Sequence, residues 1–441
     1  MYRSSDLSFY IIALGCSKNL VDAEKLKGRL VSVSFNEAET AEEADIIVIL
    51  TCGFITAAKE ESINTIFEAI NAVKERIGSG GFHPALAVAG CLTKRYFAEI
   101  KKEIPEINFL YGIPDEHFVS SLASELNIKL SGREQEHQLP LINRQSYRYI
   151  KIADGCSNNC SYCAIPMIRG PLVCYPPALI YEDMRAAAAD GVKELVLIAQ
   201  DTAAYKHGSI NVAALLQEAA KTDGIEWVRL LYCHPDHIAD ELVEAIAKIK
   251  KVVKYLDIPF QHVSKKLLAS MGRQGDYDVY LNLINKLREN IPDIIIRSTF
   301  MMGYPQETAA DFNLLLQFLE AAQLDKVGAF VYSPEEGTRA FHMSEQVAGR
   351  TAKLRYNKLM KAQQKISSAK LQDRIGAATE VLVEERISES EYMGRTPADA
   401  PEVDGVFYLT SKRKIKPNDI VKARITGSLE YDLIGEQIEV S

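Results

Sequence analysis

The sequence has no apolar run near the about 18 residues that a membrane-spanning helix requires, so no membrane span is predicted. The apolar stretch near the N-terminus is too short for a secretory signal peptide and continues directly into a strand-like segment. A cytoplasmic location is therefore the expectation. An excess of positive charge is also missing: the formal net charge is −8, which argues against gripping nucleic acid by bulk electrostatics.

Cysteine is scarce, with eight in 441 residues. A large cytosolic chain rarely uses cysteines as a disulfide framework, so metal or redox chemistry is the better interpretation. Buried, inert thiols are the alternative, because free cysteine is among the most buried residue types. We prefer that alternative for the isolated Cys174 and Cys233, which leaves six cysteines in two sets of three.

The chain is longer than a single core usually supports, so two or three domains are expected. Residues 1–130 alternate short apolar runs with segments of helical period, which predicts an α/β domain with an open parallel sheet. The apolar runs read as buried strands at 9–14, 45–50 and 85–89, and residues 56–76 as a helix. Residues 131–146 are polar and aperiodic, and are predicted to form a linker.

Residues 147–374 repeat a strand and a helix six times, and end with a long polar helix at 346–374. The predicted strands are 147–153, 194–199, 227–232, 255–260, 294–302 and 328–333. Six units favour a partial (β/α)6 barrel, and an open doubly wound sheet remains as the alternative. Residues 375–441 contain only short β-type runs broken by Gly, Pro and Asp, which predicts a small antiparallel β-barrel.

The first set of cysteines is Cys156, Cys160 and Cys163, a Cx3Cx2C cluster directly after the first strand of the repeat. Three thiolates on one tight loop can hold three irons of a [4Fe–4S] cluster and leave the fourth iron for a substrate or cofactor. A structural zinc site would need a fourth Cys or His at zinc spacing, and none is there. The loop follows the C-terminal end of a barrel strand, where such folds place active sites.

The second set is Cys16, Cys52 and Cys91, which are far apart in sequence. Each directly follows a buried strand and has a glycine beside it, which would let a bulky cluster approach the backbone. Because sequential parallel strands end at the same edge of a sheet, the three thiols can converge there. The pattern predicts a second three-cysteine cluster, with buried core cysteines as the alternative.

Several motifs resemble a known family. The Cx3Cx2C motif, with Tyr162 before its last cysteine, resembles the signature of the radical S-adenosylmethionine (SAM) superfamily. LGCSKNLVDAE (14–24), TCGFITAAKEES (51–62) and GCLTKRY (90–96) resemble the N-terminal domain of the methylthiotransferases. Residues 151–170 resemble their radical SAM core, and residues 375–441 resemble their TRAM domain.

The resemblance implies an enzyme with two [4Fe–4S] clusters and SAM as cofactors. Cys156, Cys160 and Cys163 would bind the catalytic cluster that cleaves SAM to a 5′-deoxyadenosyl radical. Cys16, Cys52 and Cys91 would bind the cluster that handles the inserted sulfur. Two SAM molecules would be used per product, one as methyl donor and one as radical source. Tyr162, Gln200 and Asp201 are candidate SAM contacts.

Within the family, LGCSKNLVDAE and PADAPEVDG (397–405) are most similar to the branch that methylthiolates the β-carbon of an aspartate in small-subunit ribosomal protein twelve. Residues 376–441 hold thirteen acidic and eight basic residues, a balance that suits a basic protein partner better than RNA. Glu402 and Asp404 are candidate contacts with that partner. An electron donor such as flavodoxin or ferredoxin and a sulfur source are also expected as partners. Binding to a membrane is not expected, and binding to nucleic acid is expected only within the ribosome.

Two other functions stay open. A transfer-RNA (adenosine) methylthiotransferase would need RNA binding despite the acidic last block. A non-enzymatic iron–sulfur carrier would not need the six-unit repeat or the unique iron.

Some residues are ambiguous from sequence alone. Tyr232, Cys233 and His234 either face the site and contact substrate, pack, or lie on a solvated loop. His262 is either a site residue or a satisfied core histidine. The basic run at 411–416 is read as a solvated hairpin, with RNA contact as the alternative. The sequence also departs from the family pattern at 173–175, where an Arg-Ser-Arg-like run is usual, and at Gln306, where a glycine is expected.

Overall fold

The computed structural model describes residues 2–76, 84–136, 138–140 and 146–438. The chain divides into two compact units. Unit 1 comprises Met1–Asn143, Gly155–Ser157 and Cys163–Leu172. Unit 2 comprises Arg144–Asp154, Asn158–Tyr162 and Val173–Ser441. In the described part of the chain, no helix is both long and apolar enough to cross a membrane.

Unit 1 is an α/β fold. Its strands are β1 (Tyr2–Arg3), β2 (Ser8–Ala13), β3 (Asn36–Glu37), β4 (Ile46–Thr51), β5 (Ala85–Gly90), β6 (Phe109–Leu110) and β7 (Ile128–Lys129). Its helices are α1 (Ser17–Ser32), α2 (Thr56–Arg76), α3 (Cys91–Arg95), α4 (Phe97–Glu103), α5 (Phe118–Glu125) and α6 (Ile165–Arg169).

The main sheet of unit 1 has the order β3-β2-β4-β5-β6, and all of its pairs are parallel. Every residue of β4 and β5 is buried, because each face of the sheet is covered by a hydrophobic cluster. One cluster includes Leu26 and Phe118, and the other includes Ile66 and Ile100. The predicted open parallel sheet is confirmed.

The predicted linker contains no helix or strand among its described residues, 131–136, 138–140 and 146. Positions 137 and 141–145 lie outside the described residues. Residues of this segment bind α1. The Leu139 amide donates a hydrogen bond to the Glu24 carbonyl, and the Arg29 guanidinium donates one to the Glu136 carboxylate. The described part of the segment is therefore fixed along α1.

Unit 2 contains the βα repeat and the C-terminal module. Its strands are β8 (Tyr147–Lys151), β9 (Ala153–Asp154), β10 (Val173–Cys174), β11 (Glu194–Ile198), β12 (Lys206–His207), β13 (Ile210–Asn211), β14 (Trp227–Leu230), β15 (Tyr255–Gln261), β16 (Ile295–Met302), β17 (Lys326–Val331), β18 (Ala378–Arg386), β19 (Glu391–Arg395), β20 (Phe407–Thr410), β21 (Ile420–Ser428) and β22 (Leu433–Gln437). Its helices are α7 (Pro177–Ala189), α8 (Val212–Lys221), α9 (Asp240–Lys248), α10 (Lys265–Ser270), α11 (Tyr277–Asn290), α12 (Ala309–Ala322) and α13 (Gly349–Asp373).

Six parallel strands form the partial barrel, and they correspond to the six predicted strands. They are arranged as two three-stranded sheets of order β14-β11-β8 and β15-β16-β17. Between β14 and the segment before β15, the described residues form one isolated parallel bridge, Val228–Val252. The strands therefore make an incomplete barrel whose C-terminal ends share one edge, as the repeat predicted.

The C-terminal module is a closed five-stranded barrel of order β18-β19-β20-β22-β21. Four of its five pairings are antiparallel, but β20 and β22 are parallel, so the prediction of a purely antiparallel barrel is corrected in this one pair. The reason is geometric. Alternating directions cannot close around an odd number of strands, so a ring of five must contain a parallel pair.

A buried ion network lies at the N-terminal ends of the barrel strands, and we call it the basal network. One part of it joins β11, β14 and the C-terminal module: Glu194 contacts Arg229 at 2.6 Å and Arg395 at 2.7 Å. Arg395 also contacts Glu384 of β18 at 2.8 Å. Burial would raise the pKa of Glu194, but Arg229 and Arg395 hold it below its ordinary value.

The other part of the basal network contains acids from the segment that follows β19. Asp399 contacts Lys326 at 2.6 Å, and Asp404 accepts a hydrogen bond from the Tyr255 hydroxyl at 2.7 Å. The Asp404 side chain is only 3% exposed, and Arg297 lies 3.6 Å from it. The expectation that Asp404 contacts a basic partner is therefore wrong: its charge is used inside unit 2.

Glu402 is similarly engaged. Although the residue is exposed, its carboxylate accepts hydrogen bonds from the hydroxyls of Tyr147 at 3.0 Å and Tyr149 at 3.1 Å. Several acidic side chains of the C-terminal module thus contact the barrel and do not form a free acidic surface.

The basal network generates a stability prediction. Glu194→Gln should lower the free energy of unfolding of unit 2 by about 3 kcal/mol, because it leaves the buried Arg229 without its carboxylate. Fluorescence of the single tryptophan, Trp227 in β14, would follow urea unfolding of this unit. The exposed Glu226→Gln is the matched control and should change stability by less than about 0.5 kcal/mol. Equal effects of the two substitutions would contradict the role given to the network.

Candidate active site

Cys16, Cys52 and Cys91 lie at the C-terminal ends of three adjacent parallel strands of unit 1: β2, β4 and β5. Cys16 is exposed and is the N-cap residue of α1, whereas Cys52 and Cys91 are buried. Cys91 is the first residue of α3. The strand-end placement expected from the sequence is what the structure contains.

The loops that carry these cysteines are in close contact. A Cβ atom placed on Gly15 would lie 2.6 Å from the Cβ of Cys52, and one on Gly53 would lie 2.7 Å from the backbone of Leu92. Gly15 also has a φ of 87°, which side-chain-bearing residues rarely adopt. Glycine is therefore required for the three strand ends to approach one another.

Two polar side chains fix the strand ends, and sequence reasoning did not single them out. The Ser62 hydroxyl donates to the Cys52 carbonyl and accepts from its amide, both at 3.0 Å. The Asn19 amide donates to Leu14 at 2.7 Å and to Leu50 at 3.0 Å, which joins the ends of β2 and β4. Both residues lie inside motifs quoted above, but nothing in their spacing reveals these bonds.

A buried arginine accompanies this cysteine set. Arg169, the last residue of α6, is 2.8 Å from Asp22 and hydrogen-bonds Cys91. Burial raises the pKa of Cys91 to about 11 in spite of Arg169, and burial also raises that of Cys52. Three thiols at one edge of the sheet, two of them buried and beside one cation, fit a group that compensates thiolate charge, and a metal cluster does so.

Cys156, Cys160 and Cys163 follow β9 on one short loop. In unit 1, the Cys156 amide donates to Gly170 at 3.1 Å. Gly155 packs so tightly that an added Cβ would lie 2.1 Å from the Pro171 carbonyl oxygen.

The middle of this loop belongs to unit 2 and is held by the C-terminal edge of the barrel. The Ser161 amide donates to Met271 at 2.8 Å, and its carbonyl accepts from the Ala340 amide at 2.8 Å. The Ser161 hydroxyl is 2.8 Å from the hydroxyl of Tyr304. Every polar group of Ser161 is thus used to fix the backbone between Cys160 and Cys163.

Asp201 also supports the loop. Its Oδ2 accepts from Asn158 at 2.7 Å and pairs with His237 Nδ1 at 2.6 Å, and its Oδ1 accepts from the His234 amide at 3.3 Å. Burial would raise the pKa of Asp201, but the hydrogen bond with His237 holds it below its ordinary value. The geometry describes a hydrogen-bonded carboxylate that positions Asn158.

The neighbouring Gln200 donates to Asp154 at 2.9 Å. Contact of SAM with Tyr162, Gln200 or Asp201 stays a prediction. Burial lowers the pKa of His234 to about 3, so this imidazole is neutral at physiological pH.

Of the ambiguous residues, His262 and Cys233 have packing roles, whereas a contact of Tyr232 or His234 with substrate stays a prediction. His262 is fully buried, and its Nδ1 accepts from the amides of Val263 and Ser264, both at 2.9 Å, just before α10. Burial lowers its pKa to about 4, so it is a neutral structural histidine. Cys233 is fully buried beside Thr202.

The two departures from the family pattern also have local roles. Val173 and Cys174 pair with β9. Gln306 has a φ of 69°, a conformation that explains why glycine is expected at that position. In the basic run, Lys412, Arg413, Lys414 and Lys416 are exposed between β20 and β21, while Ile415 is buried.

One further side chain at this edge was missed. Arg273 follows α10, and its Nη1 lies 3.8 Å from the sulfur of Cys160, while its Nη2 donates to Pro259 at 2.7 Å. More than a hundred residues separate this arginine from Cys160, and no motif spacing links them. Only the fold brings them together.

Comparison with protein families agrees with this architecture. Residues 150–319 match the model of the radical SAM superfamily, and residues 375–438 match the TRAM domain. Residues 8–112 match Uncharacterized protein family UPF0004. The fold is similar to that of the radical SAM methyltransferase TsrM from Kitasatospora setae (TM-score 0.58, 14% identity, 77% of this chain and 74% of that chain).

Curated relatives cover nearly the whole chain. The ribosomal protein uS12 methylthiotransferase RimO of Desulforamulus reducens is 41% identical over 97% of this chain and 99% of its own length. The protein of the same name from Clostridioides difficile is 40% identical over 98% of each chain. With this identity over full length, the chain belongs to the RimO family of radical SAM methylthiotransferases.

Proposed function

We propose that this enzyme inserts a methylthio group at the β-carbon of an aspartate in ribosomal protein uS12, and that it does so in the cytoplasm. The observation that carries the proposal is the full-length identity of about 40% with relatives named for that substrate. The LGCSKNLVDAE and PADAPEVDG motifs support the same branch. The acidic balance of the C-terminal module gives weaker support, because Asp399 and Asp404 are buried in the basal network.

The two cysteine sets divide the work in this proposal. Cys156, Cys160 and Cys163 hold the cluster that binds SAM, and Cys16, Cys52 and Cys91 hold the cluster that handles sulfur. With SAM bound, such a cluster would supply the 5′-deoxyadenosyl radical. The proposed domains are 1–130 for the sulfur cluster, 147–374 for radical chemistry and 375–441 as the TRAM domain, with 131–146 as connecting chain.

The chain's own residues supply rigidity and charge. Ser161, Asn158 and Asp201 hold the backbone of the SAM-cluster loop against the barrel edge. Arg169 places a positive charge beside Cys91, which favours the thiolate that an iron ligand requires. Such prior positioning lowers the cost of arranging reactants at the moment of reaction.

Two further partners complete the proposal. A low-potential one-electron donor such as flavodoxin or ferredoxin is needed to reduce the SAM cluster. A sulfur source must replace the sulfur that leaves with each product, because the methylthio group contains a sulfur that the aspartate lacks.

The first functional prediction concerns iron. Anaerobic reconstitution should give about eight irons per chain, and changing Cys156, Cys160 and Cys163 together to Ala should leave about four. Changing Cys174 and Cys233 to Ala is the matched control and should leave the iron content unchanged. Iron and acid-labile sulfide assays measure both results. A native protein that saturates at about four irons would exclude two clusters of this size.

The second prediction separates the roles of the clusters. The variant with Cys16, Cys52 and Cys91 changed to Ala should still cleave SAM reductively to 5′-deoxyadenosine, because the SAM cluster is intact. It should insert no sulfur. Liquid chromatography of 5′-deoxyadenosine together with mass spectrometry of the substrate makes the comparison. Normal amounts of methylthiolated product from this variant would show that the roles are wrongly assigned.

The third prediction concerns the substrate. Incubation with uS12, or with a peptide of its modified loop, should add about 46 Da at one aspartate, the mass of SCH3 replacing H. Transfer RNA in the same assay should gain no methylthioadenosine. A uS12 variant with Asn at the modified aspartate is the control and should stay unmodified. Modification of transfer RNA alone would move the enzyme to the adenosine-modifying branch.

A further inference from the structure

Arg273 is a buried cation that no carboxylate of the described chain pairs with. The residue is 6% exposed, and among the residues that the structure describes no carboxylate lies within 4.0 Å of its guanidinium. Its guanidinium contacts the Pro259 carbonyl at 2.7 Å and the Cys160 sulfur at 3.8 Å, and it hydrogen-bonds the Tyr280 hydroxyl. Within the described chain its buried Nε has no partner. A buried charge is costly unless an opposite charge compensates it.

The other arginines buried in the described chain set the comparison. The side chains of Arg29, Arg148, Arg169, Arg229 and Arg395 are likewise buried, and each contacts a carboxylate. The distances are between 2.5 and 2.8 Å. Arg273 departs from that pattern, and the candidate anion nearest to it is the thiolate of Cys160.

The fold holds Arg273 in this position. Gly272 has a φ of 73°, and an added Cβ would lie 2.5 Å from the Asn159 carbonyl oxygen. The preceding residue, Met271, accepts the Ser161 amide. The segment 271–273 is therefore packed along the backbone of the cysteine loop, and the hydrogen bond to Pro259 holds the guanidinium beside Cys160.

We propose that Arg273 raises the reduction potential of the cluster bound by Cys156, Cys160 and Cys163, as a positioning residue that acts through the Cys160 sulfur. The inference rests on the cluster assignment in the proposed function. Reduction adds one negative charge to the cluster, and a cation at short distance in a buried site stabilises the more negative state. Hydrogen bonds to ligand sulfurs and net charge are known determinants of cluster potential.

The experiment is a potentiometric titration of the reconstituted full chain, with dithionite as reductant and electron paramagnetic resonance as readout. The SAM cluster is recognised as the signal that changes when SAM is added. In Arg273→Gln, the ratio of reduced to oxidised SAM cluster at a fixed potential should fall about tenfold, a shift of about 59 mV to lower potential. The signal of the other cluster should keep its potential in the same sample and serves as internal control.

Arg339→Gln is the matched control variant. Arg339 is an exposed arginine that donates to the same loop, but to the Asn159 carbonyl rather than to a sulfur. Its loss should leave the potential of the SAM cluster within the error of the titration. Should Arg273→Gln lose the cluster, Arg273→Lys is titrated instead. Lysine keeps the positive charge but cannot keep both the Cys160 and Pro259 contacts, so a smaller shift to lower potential is expected there.

An unshifted SAM-cluster potential in a variant with full iron content would overturn the inference. A weaker affinity for SAM with an unshifted potential would overturn it as well and make Arg273 a cofactor ligand. If the native protein shows no signal that responds to SAM, the proposed function itself fails, which is a result distinct from both.

Discussion

Parallel strands place all their N-terminal ends on one edge of a sheet and all their C-terminal ends on the other, and the two units depend on this constraint. In unit 1, the C-terminal edge carries the three cysteines of β2, β4 and β5. In unit 2, the C-terminal edge holds the second cysteine loop through Ser161 and Asn158, while the N-terminal edge holds the basal network. Chemistry and structural support are thereby kept on opposite edges.

Electrostatic compensation explains what surrounds both cysteine sets. Burial makes the thiolate of Cys91 costly, as the raised pKa shows, and Arg169 reduces that cost. Asp22 balances the charge of Arg169 at 2.8 Å, whereas no described carboxylate pairs with Arg273 beside Cys160. The two cysteine sets are therefore in different electrostatic surroundings, in accordance with the different redox duties that we propose for them.

Hydrophobic periodicity was enough to predict the fold. The apolar runs located β2, β4 and β5 and all six barrel strands, and α2 begins and ends where its helical pattern does. The positions of the cysteines relative to the predicted strand ends were sufficient to identify the two sets of three as candidate cluster ligands. The parallel pair in the C-terminal barrel was missed, although a count of five strands already requires it.

What sequence could not provide was the pairing of polar side chains across long distances. A count of charges in the sequence treats Asp404 like any exposed acid. In the structure its carboxylate is buried against Tyr255 and Arg297, so it is not free to attract a partner. The contacts of Arg273 with Cys160 and of Ser62 with Cys52 arise only when distant segments pack.

The basal network has a consequence for how such proteins diversify. Because Glu194 and Lys326 of the barrel are paired with Arg395 and Asp399 of the C-terminal module, that module cannot be exchanged by recombination as an independent cassette. Any replacement must bring matching charges to the same places, so the two parts are inherited together.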